Sequence, residues 1–322
     1  MKPLILGTRG SALALAQARL TKAALAEKDI SCRIEVIKTM GDKRPDLKLS
    51  EFSQGENAVL DKGIFTRELE ESLVRGDIDF AVHSLKDVPT ELSDKFAIVA
   101  TLPRAPVTDI LLTTQEGMVA DLTLFDGRTI ATSSVRRARQ LQWLCPGVRV
   151  VDIRGNVPTR IRKLTQHPEW DGIMLARAGI ERLGIFTPGE ASFDFEGTTV
   201  YAIEFPEPEF LPAAGQGAVA LECLRCKAAT VESLASINDE ATFARTRAER
   251  AFLARLQAGC QTPVGVWTRI ESGGSELRMS VRVFDEDSPD AEPFVAEVRG
   301  NIARPEALAD QLMKLKNGKT PS

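Results

Sequence analysis

Apolar and polar positions along the first two thirds of the chain repeat in an order that predicts a strand, a turn and a helix. At the start, residues 4–6 form a short apolar run, residues 8–11 a polar turn with glycine, and residues 12–27 an alanine- and leucine-rich helix. Ser11 stands at the position of the helix N-cap. Repetition of this order indicates βαβ units and a mostly parallel sheet.

The next elements follow from the same periodicity. It predicts helices over 65–74, 135–144 and 158–164, and strands over 33–39, 78–82, 129–131, 148–153 and 172–176. The polar segment 41–61 has no clear periodicity, and a loop of that length inside a compact domain is usually functional or mobile. Pro103 and Pro106 mark a candidate hinge.

Beyond residue 237 the pattern changes. Asn238 is placed to cap a long helix over 239–258, which Gly259 would end. Three alternating strands follow over 264–270, 277–284 and 294–300, and then a last helix over 305–315. This order predicts a small α+β domain.

Composition narrows the class of protein. At roughly 150 residues per domain, 322 residues suggest two domains or three small ones. A hydrophobic fraction of 43% and a charged fraction of 27% exclude disordered and collagen-like chains, and a net charge of −4 argues against a general nucleic-acid-binding surface.

The longest apolar stretches are far too short to span a membrane, and Thr8-Arg9 interrupts the apolar N-terminus before it could serve as a signal peptide. We therefore expect a cytoplasmic protein.

Five cysteines and two histidines limit the metal and disulfide chemistry. An odd number of cysteines in a chain of this length argues against a disulfide framework. His83 and His167 are too few for a histidine-rich metal site. Cys223 and Cys226 form a single CxxC without a second pair. This pattern is only weak evidence for a zinc site, and two ordinary half-buried cysteines are the favoured interpretation.

Basic residues concentrate between residues 131 and 163, a stretch that contains eight basic residues and one acidic residue. Arg136 and Arg137 follow serines at one predicted helix start, Arg154 and Arg160 bracket another, and Arg9 stands at a third. Helix N-termini with arginine and hydroxyl side chains bind anions. Because the chain has neither a P-loop nor GxGxxG, and few aromatic residues in this stretch, carboxylates are the favoured ligands over phosphates or nucleic acid.

Two further residues stand where ligand chemistry is expected. Asp87 follows a predicted strand in HSLKDVP, at the end of a sheet where α/β proteins bind ligands, although a surface pair with Lys86 explains it equally well. Cys260 lies in the short loop AGCQTP, where a thiol is accessible; a small buried side chain under the loop is the alternative.

Eight motifs occur in order along nearly the whole chain. They are GTRGSALALAQA (7–18), KGIFTRELE (62–70), DFAVHSLKDVPTE (79–91), ATSSVRRARQL (131–141), RGNVPTR (154–160), LARAGIERLG (175–184), PAAGQGAVALEC (212–223) and ERAFLARLQAGCQTPVG (249–265). Together they resemble the porphobilinogen deaminase family, also called hydroxymethylbilane synthase.

The resemblance implies an enzyme that deaminates porphobilinogen and joins four molecules head to tail on a covalently bound dipyrromethane primer, releasing hydroxymethylbilane for tetrapyrrole synthesis. Cys260 would hold this cofactor through a thioether, and Asp87 would be the catalytic residue, with its carboxylate in contact with the pyrrole nitrogens. By position in the motifs, further cofactor contacts would come from Lys86, Ser133, Arg136 and Arg137. Substrate contacts would come from Arg9, Ser11, Gln17, Arg154, Arg160, Arg182 and Gln216.

A flexible lid is also implied, with Lys62 and Phe65 in it. This segment departs from the pattern of the family. Leu60-Asp61 stands where two glycines are common, and Met40 stands where arginine is usual. The lid contacts are therefore the part of the resemblance that transfers least directly.

For the architecture, the resemblance implies an α/β fold with two domains like those of type II periplasmic binding proteins around a cleft, and a small C-terminal α+β domain. The domains would be 1–102 with 217–236, carrying Asp87 and the lid; 103–216, rich in arginine; and 237–322, carrying Cys260. The protein would be a cytoplasmic monomer that takes porphobilinogen as its small-molecule substrate, binds neither nucleic acid nor membrane, and hands its product to uroporphyrinogen-III synthase.

Two other classes stay open at this point. A non-catalytic two-lobed solute-binding or effector-sensing protein would share the α/β architecture and need no special cysteine. A cysteine-dependent hydrolase or transferase would need a histidine close to Cys260, and His83 and His167 are the only candidates.

Overall fold

The structure is a computed structural model that describes residues 2–38, 66–119, 121, 125–258, 262–288 and 290–318. The chain forms two compact units, Met1–Ala105 with Gly217–Arg247, and Pro106–Gln216 with Ala248–Ser322. The boundary after Ala105 falls between the two prolines of the predicted hinge. The separate C-terminal domain over 237–322 stays a prediction.

The elements are numbered along the chain within the described residues. The strands are β1 (Leu4–Thr8), β2 (Cys32–Val36), β3 (Phe80–Ser84), β4 (Phe96–Thr101), β5 (Asp109–Thr113), β6 (Thr129–Ala131), β7 (Arg149–Val151), β8 (Gly172–Ala176), β9 (Ser192–Phe195), β10 (Thr198–Glu204), β11 (Val219–Leu224), β12 (Val264–Ile270), β13 (Glu276–Val283) and β14 (Phe294–Asn301). The helices are α1 (Ala12–Ala26), α2 (Arg67–Arg75), α3 (Val135–Leu144), α4 (Val157–Gln166), α5 (Arg177–Arg182), α6 (Ala228–Ala235), α7 (Glu240–Arg255) and α8 (Ala307–Lys316).

The first unit contains a sheet in the order β2-β1-β3-β11-β4. β1 runs parallel to β2 and β3, whereas β11 runs antiparallel to β3 and β4. Helix α1 packs on one face around Ala18 and Leu25, and helix α2 packs around Leu69 and Leu73 in a second apolar cluster. The carboxyl ends of β1 and β3 therefore open at one edge of the sheet, beside the start of α1.

The second unit contains a sheet in the order β7-β6-β8-β5-β10-β9, in which only β6 pairs in parallel, with β7 and β8. The expectation of mostly parallel sheets is therefore wrong, because both large sheets are mixed. Apolar alternation reports which face of a strand is buried and not the direction of its neighbour. In the first unit the antiparallel neighbour of β3 also comes from far along the chain.

The C-terminal part is α+β, as expected. β12, β13 and β14 form an antiparallel sheet, and α8 packs on it through Leu308 and Leu312. This sheet belongs to the same compact unit as residues 106–216.

One predicted cap is corrected. Asp239, and not Asn238, caps α7, because the Asp239 carboxylate accepts a hydrogen bond from the Thr242 N–H at 2.8 Å. The Asn238 side-chain oxygen instead accepts from the Thr101 N–H at 2.9 Å. Asn238 thereby ties the start of α7 to strand β4, and Gly259 lies outside the described residues.

The cysteines of the CxxC pair are not half-buried. Cys223 is fully buried at the end of β11, whereas Cys226 is exposed. Burial raises the pKa of the Cys223 thiol to about 11, which makes it a poor metal ligand. Over the described ranges, no group of three or more metal-ligating side chains occurs, and no helix is long and apolar enough to cross a membrane.

Candidate functional site

A small pocket of about 70 Å³ in the first unit brings together four of the residues that the sequence analysis selected. Arg9, Ser11, Gln17 and Asp87 line it, with Ser84. Arg9 follows β1 and Asp87 lies just after β3, so the pocket forms where these two parallel-paired strands end. This is the position at which open α/β sheets bind ligands.

Helix α1 supplies one wall of the pocket. The Ser11 hydroxyl caps this helix, as predicted, by accepting a hydrogen bond from the Ala14 N–H at 3.2 Å. Gln17 is buried one turn further and donates from Nε2 to the Ser84 hydroxyl at 2.7 Å. That bond joins α1 to the end of β3 and fixes the chain just before Asp87.

Asp87 presents its carboxylate at the pocket from the short 3-10 helix Leu85–Asp87. Asp87 and Lys86 are both exposed. In the part of the chain that the structure describes, the Asp87 carboxylate makes no hydrogen bond and no ion pair, so the surface pair with Lys86 that local sequence allowed is absent. An unengaged carboxylate in a lined pocket can accept hydrogen bonds from a bound N–H donor.

Sequence reasoning missed a buried ionisable cluster beside this pocket. His83 lines the pocket, and its Nε2 lies 2.9 Å from Oε2 of the fully buried Glu222. Burial, and then the charge of Glu222, raise the pKa of Glu70 on α2. An acidic residue inside the apolar run of β11 was the only signal in the sequence.

In the second unit, one buried carboxylate holds the predicted arginine pair. Arg136 Nη1 donates to Asp109 Oδ2 at 2.6 Å, and Arg137 donates to Asp109 Oδ1 through Nε and Nη2 at 3.0 and 2.7 Å. All three side chains are buried. Burial raises the pKa of Asp109, but the two guanidinium charges and their hydrogen bonds outweigh it and hold this pKa well below its usual range.

Gln216 belongs to the same cluster. Its Nε2 donates to Asp109 Oδ1 at 3.0 Å and to the Val107 carbonyl at 2.6 Å. Asp109 therefore organises three residues that the motifs singled out separately. One negative and two positive charges leave this buried cluster with a net positive charge, which favours an anion nearby.

The two serines before α3 have different roles. Ser134 caps the helix by accepting from the Arg137 N–H at 3.5 Å. The Ser133 hydroxyl donates to the Ile153 carbonyl and accepts from the Ile153 N–H at 3.1 Å. Ser133, which was expected to contact a cofactor, thus holds the end of β7 beside the start of α3.

Arg154 precedes α4 and Arg160 lies in its first turn, so the two bracket the helix start, as predicted. Arg154 Nε donates to Asp152 at 3.2 Å, and Arg160 Nε donates to the Gly155 carbonyl at 2.7 Å. Gly155 has a φ of 114°, and a Cβ there would lie 2.7 Å from the Thr159 side chain, so the turn requires glycine. Both guanidinium groups stay partly exposed at this helix start.

Arg182 is the last residue of α5. It is partly buried, and burial lowers its pKa to about 10.

Three selected residues, Cys260, Lys62 and Phe65, lie outside the described residues, as do Met40 and Asp61. The elements on either side of the Cys260 loop are joined through Glu249 on α7. This buried carboxylate accepts hydrogen bonds from the Gly215 N–H at 2.7 Å and from the Thr268 hydroxyl on β12.

The comparisons with known proteins identify the family. A family model described as "Porphobilinogen deaminase, dipyromethane cofactor binding domain" matches residues 4–232, and one described as "Porphobilinogen deaminase, C-terminal domain" matches residues 243–315. The porphobilinogen deaminase of Syntrophomonas wolfei is 39% identical over 307 residues, covering 93% of each chain. That of Paracoccus denitrificans is 37% identical over 328 residues, covering 99% of this chain and 95% of the relative.

Among solved structures, the second substrate binding domain of a putative amino acid ABC transporter from Streptococcus pneumoniae has a TM-score of 0.45 and 11% identity. The match covers 80% of this chain and 95% of that chain. The family models span most of the chain, and the relatives match nearly end to end. The chain therefore belongs to the porphobilinogen deaminase family, and its larger matched part is that family's dipyrromethane-cofactor-binding domain.

Proposed function

We propose that this protein is a transferase that condenses four porphobilinogen molecules head to tail and releases hydroxymethylbilane and ammonia. The observation that carries the proposal is the unengaged Asp87 carboxylate in a pocket that also contains Arg9 and Ser11. Porphobilinogen carries two carboxylates, an aminomethyl group and a pyrrole N–H. An arginine, a hydroxyl and a free carboxylate are complementary to those groups.

Asp87 acts on the pyrrole nitrogen in this proposal. Loss of ammonia from the aminomethyl carbon leaves positive charge that spreads to the pyrrole N–H. A fixed carboxylate that accepts the N–H hydrogen bond stabilises this charge more as it develops, and so lowers the barrier. Arg9 and the Ser11 hydroxyl hold a substrate carboxylate while this occurs.

The residues present also fit a dipyrromethane, which carries acetate and propionate groups. The net positive charge of Asp109, Arg136 and Arg137 suits such carboxylates, and it lies within the matched cofactor-binding domain. In the proposal, Arg136, Arg137, Ser133 and Lys86 hold the cofactor and Cys260 Sγ attaches it. When bound, this group supplies the primer and a nucleophilic pyrrole carbon.

The growing chain adds carboxylates with each unit, and the remaining arginines supply anchors for them. We assign Arg154, Arg160 and Arg182, with Gln17 and Gln216, to substrate contacts, and Lys62 and Phe65 to a lid. The proposal further includes a cytoplasmic monomer that hands its product to uroporphyrinogen-III synthase.

The test combines mass and turnover. Intact-mass measurement of the wild-type protein is expected to exceed the sequence mass by a dipyrromethane, and Cys260→Ala to match the sequence mass. Incubation with porphobilinogen is expected to yield bilane, detected as uroporphyrin absorbance, from the wild type only. Asp87→Asn should keep the added mass and lose at least about a hundredfold in turnover, since removal of a charge-stabilising group costs roughly 2.7–4 kcal/mol.

Three results would contradict the proposal. Sequence mass in both the wild type and Cys260→Ala would remove Cys260 as the attachment point. Near-normal turnover by Asp87→Asn would remove Asp87 from the mechanism. Saturable binding of porphobilinogen by the wild type with no bilane formed would favour the non-catalytic solute-binding alternative.

A further inference from the structure

A buried imidazole–carboxylate pair forms part of the pocket wall. His83 is on β3, one residue before Ser84, and its side chain is 5% exposed. Glu222 comes from the adjacent antiparallel strand β11 and has no exposed side-chain surface. The pair is joined by the 2.9 Å contact between His83 Nε2 and Glu222 Oε2, and the imidazole lines the same pocket as Asp87.

The contact with Glu222 occupies one of the two ring nitrogens of His83. When Glu222 is ionised and the imidazole is neutral, the carboxylate can only accept, so the hydrogen is on Nε2 and the lone pair on Nδ1. Within the described ranges of the chain, the His83 ring has no second hydrogen-bond partner. A carboxylate behind one nitrogen and a lone pair on the other is the arrangement that makes histidine a base, because the carboxylate stabilises the imidazolium that forms.

Ionisable groups lie around His83 on several elements. Glu222 faces it from β11, and Glu70 approaches from α2. Asp87 adds a carboxylate and Arg9 a positive charge at the pocket itself, while α1 contributes the uncharged Gln17.

Stability alone explains this pair poorly. Burying a carboxylate costs several kcal/mol, and apolar side chains of similar volume are often at least as stabilising. The second oxygen of Glu222, Oε1, is buried without a hydrogen-bond partner in the described part of the chain, which adds to the cost. The neighbouring positions Ala220 and Leu221 on β11 are apolar and buried, so the strand itself does not need a charge.

We propose that His83 Nδ1 accepts the proton that the condensation releases, and that Glu222 is the positioning residue behind it. The inference rests on the proposed function. The C–N bond of the substrate's protonated aminomethyl group breaks and its electron pair leaves with nitrogen as ammonia, while the attacking pyrrole carbon supplies the pair for the new C–C bond. The C–H bond at that carbon then breaks, its pair restores the aromatic ring, and the proton moves to His83 and afterwards to ammonia, giving ammonium.

The kinetic test compares His83→Gln with His167→Gln. Glutamine keeps a polar side chain in place but cannot shuttle a proton, and His167 is the exposed second histidine of the chain. We expect His83→Gln to keep its added cofactor mass and a KM within about threefold, and to lose about a hundredfold in kcat, the typical share of general-base catalysis. We expect kcat to decline toward low pH in the wild type and in His167→Gln, and this decline to disappear in His83→Gln.

Glu222→Gln tests the positioning role separately. This variant keeps the base but removes the charge that stabilises the imidazolium. We expect a smaller loss of kcat, about tenfold, and an acid limb that moves to lower pH. A merely structural role for Glu222 would lower thermal stability without moving the pH profile.

Nuclear magnetic resonance gives a readout that does not depend on turnover. In His167→Gln labelled with 15N-histidine, the only ring signals belong to His83. We expect a ring protonated at Nε2, with Nδ1 titrating at the pH of the acid limb and shifting when porphobilinogen is added. This measurement also decides the case if His83→Gln does not fold.

The outcomes separate this inference from the proposed function. If the wild type makes bilane and His83→Gln retains kcat within twofold, the inference is wrong and the proposed function stands. The inference is also wrong if the His83 ring signal does not titrate over the pH range in which kcat declines and does not shift when porphobilinogen is added. If the wild type makes no bilane, the proposed function itself has failed.

Discussion

Asp109 shows how one side chain can organise several others. Its carboxylate accepts four hydrogen bonds, from Arg136, Arg137 and Gln216, while it is itself fully buried. Two buried guanidinium groups without a counter-charge would repel each other and lose their hydration. The carboxylate offsets most of the free-energy cost of this repulsion and lost hydration, and it fixes both guanidinium groups in one orientation.

We predict that Asp109→Asn is strongly destabilising. Loss of the charge leaves two arginines buried beside a neutral amide, and breaking a buried pair typically costs about 3–5 kcal/mol in the free energy of unfolding. Urea unfolding at neutral pH measures this loss. Asp194→Asn is the control, because Asp194 is exposed and an exposed change of this kind costs about 0.5 kcal/mol or less.

The pH dependence has a defined sign. The folded pKa of Asp109 lies below the unfolded value of about 3.9, so its stabilisation is present above that pH and is lost as the pH falls further. The wild type should therefore lose stability below about pH 4 more steeply than Asp109→Asn. If the free energy of unfolding falls equally steeply below that pH in the two proteins, Asp109 is not the group whose protonation destabilises the fold.

The sequence indicated the arginines but not the acid that holds them. Arg136 and Arg137 stood out because they follow two serines at a predicted helix start, a local pattern. Asp109 is 27 residues away from Arg136 along the chain and precedes an apolar run, so nothing local connects them. The His83–Glu222 pair, separated by 139 residues, was missed for the same reason.

At the scale of elements, helix starts were the most predictable feature. Ser11, Ser134 and Asn156 each cap a helix through a side-chain oxygen, because the residues that satisfy the first N–H groups are adjacent in sequence. Strand direction was not predictable, because it depends on which distant segment pairs with an edge. That is why mixed sheets replaced the expected parallel ones.

We predict that the cap at Asn156 couples stability to ligand binding. Its Oδ1 accepts from the Thr159 N–H at 2.9 Å and fixes the helix start that Arg154 and Arg160 bracket. Asn156→Ala should lower the free energy of unfolding by about 1 kcal/mol and raise KM for porphobilinogen, with kcat little changed. Asn156→Ser, which restores a cap without adding charge, should recover both values.

Thermal or urea unfolding and steady-state kinetics measure these two effects on the same preparations. A variant that loses stability while KM stays unchanged would show that the turn does not position the arginines. Equal losses in Asn156→Ala and Asn156→Ser would show that the amide, and not the cap, is what matters.

At the scale of the whole molecule, the C-terminal sheet and residues 106–216 form one compact unit. Arg282 on β13 shows why. It is buried and donates to Gln140 on α3 at 3.0 Å and to the Glu209 carbonyl at 2.9 Å, and its guanidinium lies 4.5 Å from the centre of the Trp143 ring. Burial lowers the pKa of Arg282, so these contacts must offset the loss of hydration.

The three-domain division predicted from the resemblance makes a different claim about this region. If residues 237–322 form a domain that unfolds cooperatively on its own, substitution of Arg282 should speed amide hydrogen exchange in the C-terminal strands and leave exchange in α3 unchanged. If the shared buried contacts govern cooperativity, α3 and β12–β14 should open together, because a cooperative unit exchanges its amide hydrogens as a whole.

Hydrogen exchange of Arg282→Ala distinguishes the two. The substitution leaves the Glu209 carbonyl without its partner and removes the stacking on Trp143, a loss of about 1–3 kcal/mol. We expect deuterium uptake to rise in peptides from 135–144 and from 264–301 together, with peptides from 2–38 unchanged. Arg299→Ala, on the exposed side of β14, should change neither region. Because the contacts of Arg282 reach across the predicted boundary, faster exchange confined to 264–301 would be the signature of an independent third domain.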